Sequence, residues 1–553
     1  MPHLYRKSTI LFSLILFAAS PNAAFAQSVD AAKASDDPAC ARLAQLALPA
    51  ASITLAQTVA AGTFAGPPAA FTGRDLSAFY KNLPAFCRVV AVAKPSSDSE
   101  IKLEVWMPLA VSGWNGKLQG IGNGGFAGVI DYLQMGAAMK KGYAATATDT
   151  GHAGSAIDAA WALGHPEKVA DFGHRGIHEM TRVAKAAVHA FYGKDAQRSY
   201  FVGCSDGGRE ALMEAQRYPA DYDGILAGAP ANYWTTLLST AVADTQALTL
   251  DPASFIPPAK IPAIGAAVVA ACDALDDVRD GILNDPRQCH FDPASIQCKA
   301  GEDSEKCLTA PQAAALKKIY DGPHDEHVRA MMPGYLPGAE DGQGGWGLWI
   351  TGRVPAKSLM AFFGLGFFAN MVYEKSDWDY KTFTLEAGLK AAEEKTASAL
   401  NASDPDLRPF KARGGKLIVY HGWNDPAISA LNTVNYYDSV IAKMGQRDVD
   451  SFARFYMVPG MQHCDGGPGA DSFGQVGRLA DSDPQHSVHA ALEQWVEKGV
   501  APSTIIATKY GTGEQEQQVK MTRPLCAYPR AAKYQGSGDT NDAANFTCEA
   551  EKK

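Results

Sequence analysis

A serine and a histidine in this chain each have a cysteine as immediate neighbour: Cys204 stands directly before Ser205 in GCSDGG, and Cys464 directly after His463 in MQHCDGG. If the two polar residues meet as nucleophile and base, their backbones come close enough for the flanking thiols to be candidates for a disulfide. A fold that satisfies both adjacencies must return a distant segment of chain to one point and hold it there. One spacing thus proposes an active site and the bond that fastens it.

The N-terminus speaks to compartment. Arg6 and Lys7 precede an apolar run from Ile10 to Ala19, and Ala24-Phe25-Ala26 before Gln27 is a small-x-small cleavage signature, which predicts a secretory signal peptide over 1–26. The run is short for a membrane anchor, and no later stretch approaches the roughly 20 consecutive apolar residues of a span, so the mature chain is expected to be exported, secreted or periplasmic, and off the membrane. Export gives the ten cysteines a meaning: an even number in an oxidising compartment favours disulfides, and no C-x-x-C spacing argues for zinc. Proximity suggests Cys40 with Cys87, Cys272 with Cys289, Cys298 with Cys307 and Cys526 with Cys548, which leaves Cys204 and Cys464 over. The formal charge is −9, more negative still without Arg6 and Lys7, and no basic block appears, which argues against nucleic acid as a partner.

Strands and helices alternate along the chain. Ile101 to Met107 alternates as a half-buried strand, KLQGIGNGG from Lys117 reads as a strand running into a glycine loop, and Tyr143 to Thr148 as another strand. Ile177, Met180, Val183, Ala184, Ala187, Val188 and Phe191 share one face of a helix that Gly193 ends. SYFVG, GREALMEAQRY and DGILAGAP then read as strand, helix, strand. After a long gap the rhythm resumes with KLIVYHG, RFYMVPG and a helix from Ser487 to Lys498. The pattern predicts a mostly parallel α/β sheet with a long insertion.

Gly203-Cys204-Ser205-Asp206-Gly207 matches G-x-S-x-G, and its flanks supply the strand-turn-helix context that lifts a serine hydroxyl above a sheet edge. The order serine, acid, histidine continues with Asp425 in YHGWNDPAIS and His463 in VPGMQHC, each just beyond an apolar strand. His421 and His152 compete as base, although His421 before Asp425 would reverse the order; Asp206 and Asp465 compete as acid but sit too close in sequence to Ser205 or His463 to orient the ring from behind. Within the insertion, Asp273, Asp276 and Asp280 precede Gly281 at intervals of three and four. Hard cations such as calcium want such oxygen ligands, and a solvated acidic turn has the same composition. The insertion is also rich in aromatic rings, from Trp346 and Trp349 to Trp378 and Tyr380.

GCSDGGREALMEAQRYPADYDGILAGAP, LIVYHGWNDPAISA, FYMVPGMQHCDGGPG and RPLCAYP closely resemble the tannase and feruloyl esterase family of α/β-hydrolases, which also contains the hydrolase of mono(2-hydroxyethyl) terephthalate. The resemblance covers nearly the whole mature chain. It implies an α/β-hydrolase core over 27–232 and 408–553, a lid inserted over 233–407, a Ser205, Asp425, His463 triad, a Cys204–Cys464 bond beneath it, and an acyl-enzyme route to ester hydrolysis. It places the oxyanion donors at the Asp206 amide and at Gly122 in GIGNGGFAG, with Gly124 close behind. It also implies calcium in the lid, held by Asp273, Asp276 and Asp280 and the carbonyls of Val278 and Ile282, with no organic cofactor. Trp346 and Trp349, in GGWGLWITG, are the expected substrate contacts for a small-molecule aromatic ester such as a feruloyl or galloyl ester. Hydrolases of the terephthalate monoester hold its free carboxylate with a lid arginine; FFGLGFFANM has none, leaving Arg353 and Lys357 as substitutes. A secreted serine peptidase would use the same triad.

Overall fold

A computed structural model describes residues 37–69, 73–110, 113–323, 333–478, 480–515 and 517–550; the expected signal peptide lies outside them. Nine strands make one sheet: β1 (Ala51–Val59), β2 (Phe86–Ala93), β3 (Ile101–Pro108), β4 (Lys117–Ile121), β5 (Ala144–Thr148), β6 (Arg198–Cys204), β7 (Gly224–Gly228), β8 (Lys416–Gly422) and β9 (Ala453–Val458). Their spatial order is β1-β2-β3-β5-β4-β6-β7-β8-β9. The pairings at the β1 edge, through β3 with β5, are antiparallel. From β5 onward every pairing is parallel. The central strands show the composition this demands: AATAT of β5 and GILAG of β7 are buried at every position, because helices cover both faces.

Helix α1 (Gly176–Tyr192) buries the stripe read from the sequence, Ile177 through Val188, and stops where Gly193 takes φ 68° and returns its N–H to the His189 carbonyl. Helix α2 (Asp206–Arg217) follows β6 directly. Both pack on one sheet face, in a core with Val89, Leu103, Phe201, Ile225 and Phe455. The opposite face carries Trp106, Tyr200, Leu226 and Tyr456. This is the helix-flanked sheet of an α/β-hydrolase.

Between β7 and β8 the chain leaves the sheet and builds α3 (Trp234–Thr249), α4 (Ile261–Cys272), α5 (Leu359–Phe367) and α6 (Leu385–Leu400) amid many short helical turns. The excursion has a core of its own around Ile264, Leu316, Ile319 and Trp346. A second cluster joins Leu238, Met360, Phe367 and Phe368 of the excursion to Phe126, Phe172 and Ile428 of the sheet unit, so it closes over the β4 and β8 loop ends. Pro252–Asp276 is the one helical stretch among the described residues long and apolar enough to cross a membrane by composition, at mean hydropathy 1.6. It consists of separate pieces, with a non-helical break over 255–257 that ends at Pro257. Its one α-helical piece is α4, whose 12 residues bury Ile261, Ile264 and Val268 in the excursion's core. At 1.5 Å per residue α4 reaches only ~18 Å against a ~30 Å hydrocarbon layer.

The chain then adds α7 (Val488–Lys498) on the second face of the sheet, capped by the Ser487 hydroxyl and ended by Gly499 at φ 72°. Two hairpins follow, β10 (Thr504–Tyr510) with β11 (Val519–Cys526), and β12 (Arg530–Tyr534) with β13 (Phe546–Ala550). All ten cysteines are paired: Cys40–Cys87, Cys272–Cys289, Cys298–Cys307 and Cys526–Cys548, the four pairs that proximity suggests, and Cys204–Cys464, the two left over.

Candidate active site

The turn from β6 into α2 explains its own sequence. Ser205 sits at φ 67°, ψ −122°, a region that costs a non-glycine residue of order 1–3 kcal/mol and persists only where the surroundings dictate it. They do: Ser205 N–H donates to the Gly228 carbonyl at 3.0 Å, and Ala231 N–H to the Ser205 carbonyl at 3.1 Å. A Cβ on Gly203 would stand 2.4 Å from the Gly207 carbonyl oxygen, so the motif's glycines permit the tight fold-back.

Three side chains meet above this turn. His463 Nε2 lies 2.8 Å from Ser205 Oγ, and His463 Nδ1 lies 2.7 Å from Asp425 Oδ2. The loop after β8 fixes Asp425, whose Oδ1 accepts the Ala427 and Ile428 N–H groups at 2.8 and 2.9 Å. Burial alone would raise this carboxyl's pKa, but the charge of His463 and hydrogen bonds from His421 and His463 outweigh burial and hold it well below the usual carboxylate range. Directly behind the serine and histidine, Cys204 and Cys464 are bonded with their Cα atoms 6.0 Å apart.

The rivals have other places. His421 Nε2 approaches the same Asp425 oxygen at 3.1 Å while its Nδ1 lies 2.8 Å from Thr433 Oγ1, so it supports the acid rather than facing the serine. His152 stacks on Trp161 at 3.7 Å, with Nε2 on the Phe126 carbonyl at 2.7 Å. The Asp206 carboxylate is buried on Arg209, and Asp465 pairs with Arg478.

The glycine loop after β4 corrects one expectation. Gly122 N–H is engaged at 2.9 Å with the Val202 carbonyl, because Gly122 prolongs the β4–β6 ladder by one residue, and it is not free to meet an oxyanion. Asn123 N–H donates to Glu210 Oε2 at 2.8 Å, Phe126 N–H to the Ala156 carbonyl, Ala127 N–H to the Gly124 carbonyl and Gly128 N–H to the Asp149 carbonyl. Gly124 and Gly125 are left as the loop amides without an acceptor among the described residues. The Asp206 amide, at the start of α2, is likewise without one.

Trp349 and Trp346 part company. The Trp349 ring stands edge-on to the His463 ring at 4.7 Å, whereas Trp346 is 1 % exposed and packs on Tyr320 and Tyr335 in the excursion's core, which corrects its expected role at the substrate. Three positions apart on a one-turn helix, the two rings lie on neighbouring sides of it, and packing separates them: Trp346 enters the excursion's core, while Trp349 packs only at its edge. Phe363 and Phe126, whose rings are 5.4 Å apart, continue the wall from Trp349 towards the glycine loop. Sequence reasoning counts Phe363 only as one of the insertion's many rings and passes over Phe126 and Glu210; aromatic content marks a lid, not which rings line its inner surface.

The acidic loop has the oxygen-rich donor set of a hard-cation site. Asp273 Oδ1 accepts from Gly281 N–H, Asp276 from the Val278 and Asn284 N–H groups, and Asp280 from Ile282 N–H and, at 2.6 Å, from Arg523 Nη2. Burial, then the charges of Asp280 and Asp273, push Asp276 up to about 6 against its backbone hydrogen bonds. A cation would relieve that repulsion. The carboxylates are turned onto their own loop's amides and do not close around a point. Among the described residues the group with ligand atoms all within 4.8 Å of one another is Asp481, Asp483 and His486, on an exposed loop, which could hold a metal ion.

Known proteins carry the same architecture. Residues 87–549 match the family model for tannase and feruloyl esterase. An uncharacterized esterase of Xanthomonas campestris is 41% identical over 93% of this chain and 92% of its own length. A probable feruloyl esterase B-1 of Aspergillus flavus is 33% identical over 84% and 86%. The crystal structure of feruloyl esterase B from Aspergillus oryzae superposes with a TM-score of 0.82 at 29% identity, covering 92% of this chain and 99% of that one. In fold alone, the tannin acyl hydrolase from Aspergillus niger agrees, with a TM-score of 0.69 at 24% identity over 91% and 92%. A nine-stranded helix-flanked sheet, a serine, histidine and acid in line at its loop ends, and a family match over most of the sequence lead to one statement: the chain belongs to the tannase and feruloyl esterase family and is a carboxylic ester hydrolase.

Proposed function

We propose that this protein is an exported serine esterase that hydrolyses esters of phenolic aromatic acids, of feruloyl or galloyl type, through an acyl-enzyme. The observation that carries the reading is the line from Ser205 Oγ through His463 to Asp425, with Trp349 against the histidine ring. His463 takes the Ser205 proton as the hydroxyl attacks the ester carbonyl, while Asp425 fixes the ring's tautomer and offsets the charge that forms on it. The tetrahedral oxyanion is met by the Asp206 amide and by the amides of Gly124 and Gly125. His463 then protonates the departing alkoxide, activates a water and releases the acid. Trp349 and Phe363 offer flat apolar surface to an aromatic acyl group, and the buried Phe126 ring backs Phe363.

The sheet unit, 27–232 and 408–553, does the chemistry in this reading, and 233–407 acts as its lid. Calcium in the lid would be held by Asp273, Asp276 and Asp280 with the Val278 and Ile282 carbonyls once those carboxylates turn from their loop's amides, and it would neutralise the loop without taking part in the reaction. Five disulfides support an oxidising destination. The test is a panel of methyl ferulate, methyl gallate, the terephthalate monoester and a p-nitroanilide, with fluorophosphonate labelling of Ser205. Turnover of the phenolic esters, lost with the label in Ser205→Ala, is the expected result; anilide cleavage without ester cleavage would move the protein to the peptidases.

A further inference from the structure

Asn123 immediately precedes the two glycines whose amides are free, and α2 grips it from both sides. Its carbonyl accepts Gly207 N–H at 2.9 Å, and its N–H donates to Glu210 Oε2 at 2.8 Å. The Asn123 side chain holds the loop from the other direction, through Nδ2 to the Val129 and Thr148 carbonyls. Contact is close enough that a Cβ on Gly122 would stand 2.8 Å from Gly207 Cα and 3.0 Å from Glu210 Oε2.

Glu210 is 1 % exposed, five positions beyond Ser205 on the helix that Ser205 precedes, and its Oε1 has no hydrogen-bond partner among the described residues. A buried carboxyl is an odd choice for a structural peg, since a glutamate side chain costs several kcal/mol to bury unless it serves as an acceptor. Burial first, then the neighbouring Asp206, raise its pKa well above the ordinary range, against Arg209 and the Asn123 hydrogen bond. Burial thus disfavours a full negative charge on this acceptor, beneath a loop that has to receive one. Two consecutive glycines have wide backbone freedom, so the orientation of their amides depends on what anchors the residue before them.

We propose that Glu210 is a positioning residue for ester hydrolysis: its Oε2 fixes the Asn123 peptide so that the Gly124 and Gly125 amides are presented, with that of Asp206, to the developing oxyanion. The inference rests on the acyl-enzyme reading above. Nothing in it requires Glu210 to touch substrate.

The experiment compares Glu210→Ala, Glu210→Gln and Glu210→Asp with wild type on methyl ferulate, reading kcat and KM separately. Removing one oxyanion donor costs about 100- to 1,000-fold, so loosening two without removing them should lower kcat in E210A by about 30-fold with KM within about twofold. E210Q keeps an acceptor oxygen at the same reach and should restore kcat to within about threefold of wild type. Should E210A fail to fold, E210D, which withdraws the acceptor by one methylene, should show the same loss in kcat. Wild-type kcat in E210A or E210D overturns the proposal, as does an E210Q as impaired as E210A. Ester turnover surviving in Ser205→Ala would sink the acyl-enzyme reading and this inference together; strict dependence on Ser205 with an indifferent Glu210 would sink this inference alone.

Discussion

His421 Nε2 lies 3.1 Å from Oδ2 of Asp425, the oxygen that His463 Nδ1 also meets at 2.7 Å. One carboxylate oxygen thus serves two imidazoles, and only one of them reaches the serine. Asp425→Asn should cost about 10,000-fold in kcat, by favouring the wrong tautomer of His463. His421→Asn, which removes one of several supports of the acid, should cost about tenfold. Steady-state kinetics on methyl ferulate distinguishes them; equal losses would mean that Asp425 cannot hold His463 without His421.

The bond between Cys204 and Cys464 joins the residues flanking the reacting pair, across 260 positions of sequence. Closing a loop of that length stabilises by about 5 kcal/mol at most in the chain-entropy model. Cys204→Ala combined with Cys464→Ala should therefore melt lower. It should also turn over more slowly at temperatures where it remains folded, because the bond sets the Ser205 to His463 approach. Full activity in the folded double variant would assign the bond to stability alone.

Trp349→Ala should raise KM for aromatic esters by about tenfold, the scale of one lost aromatic contact, with little effect on melting. Trp346→Ala should do the reverse and destabilise by about 3–5 kcal/mol, since it empties a core position. Kinetics and denaturant melts on the two variants test the division.

Chelation with EDTA should lower the melting temperature by several degrees, and added calcium should restore it, through linkage of binding to folding. Asp276→Asn should blunt the response. An unchanged Tm in both conditions would remove calcium from the lid.

The Asp244 carboxylate on α3 has no hydrogen-bond or ion-pair partner among the described residues, and burial alone pushes it up to about 8 from 3.8. Between those values the unfolded chain releases the proton while the folded chain keeps it, so stability is lost as pH rises through that window. Asp244→Asn should match wild type near pH 4 and exceed it near pH 8 by several kcal/mol, about 5 at most. Urea melts at the two pH values decide; a variant less stable at pH 8 would mean Asp244 holds a partner as a carboxylate.

Much of the site was legible in the sequence because local signals there agree. Ser205 lies between an apolar strand and an amphipathic helix, and Asp425 and His463 follow apolar runs of β8 and β9, so strand order alone brings them to one edge. The glycine loop was legible only as a loop. Which of its amides is free depends on how far the β4–β6 ladder runs and on a carboxyl from another helix, and neither has a pattern in sequence. The excursion resisted for a different reason: its short helical turns offer too few residues for periodicity, so Trp346 and Trp349 look alike until packing separates them.

Because Cys204 and Cys464 lie on the sheet unit and the whole excursion falls between them, the excursion belongs to a covalently closed ring. A protease that cuts once within it cannot release a fragment. Such an enzyme would migrate as a single species without reductant and as two pieces with it, while Ser205 and His463 stay tethered across the break.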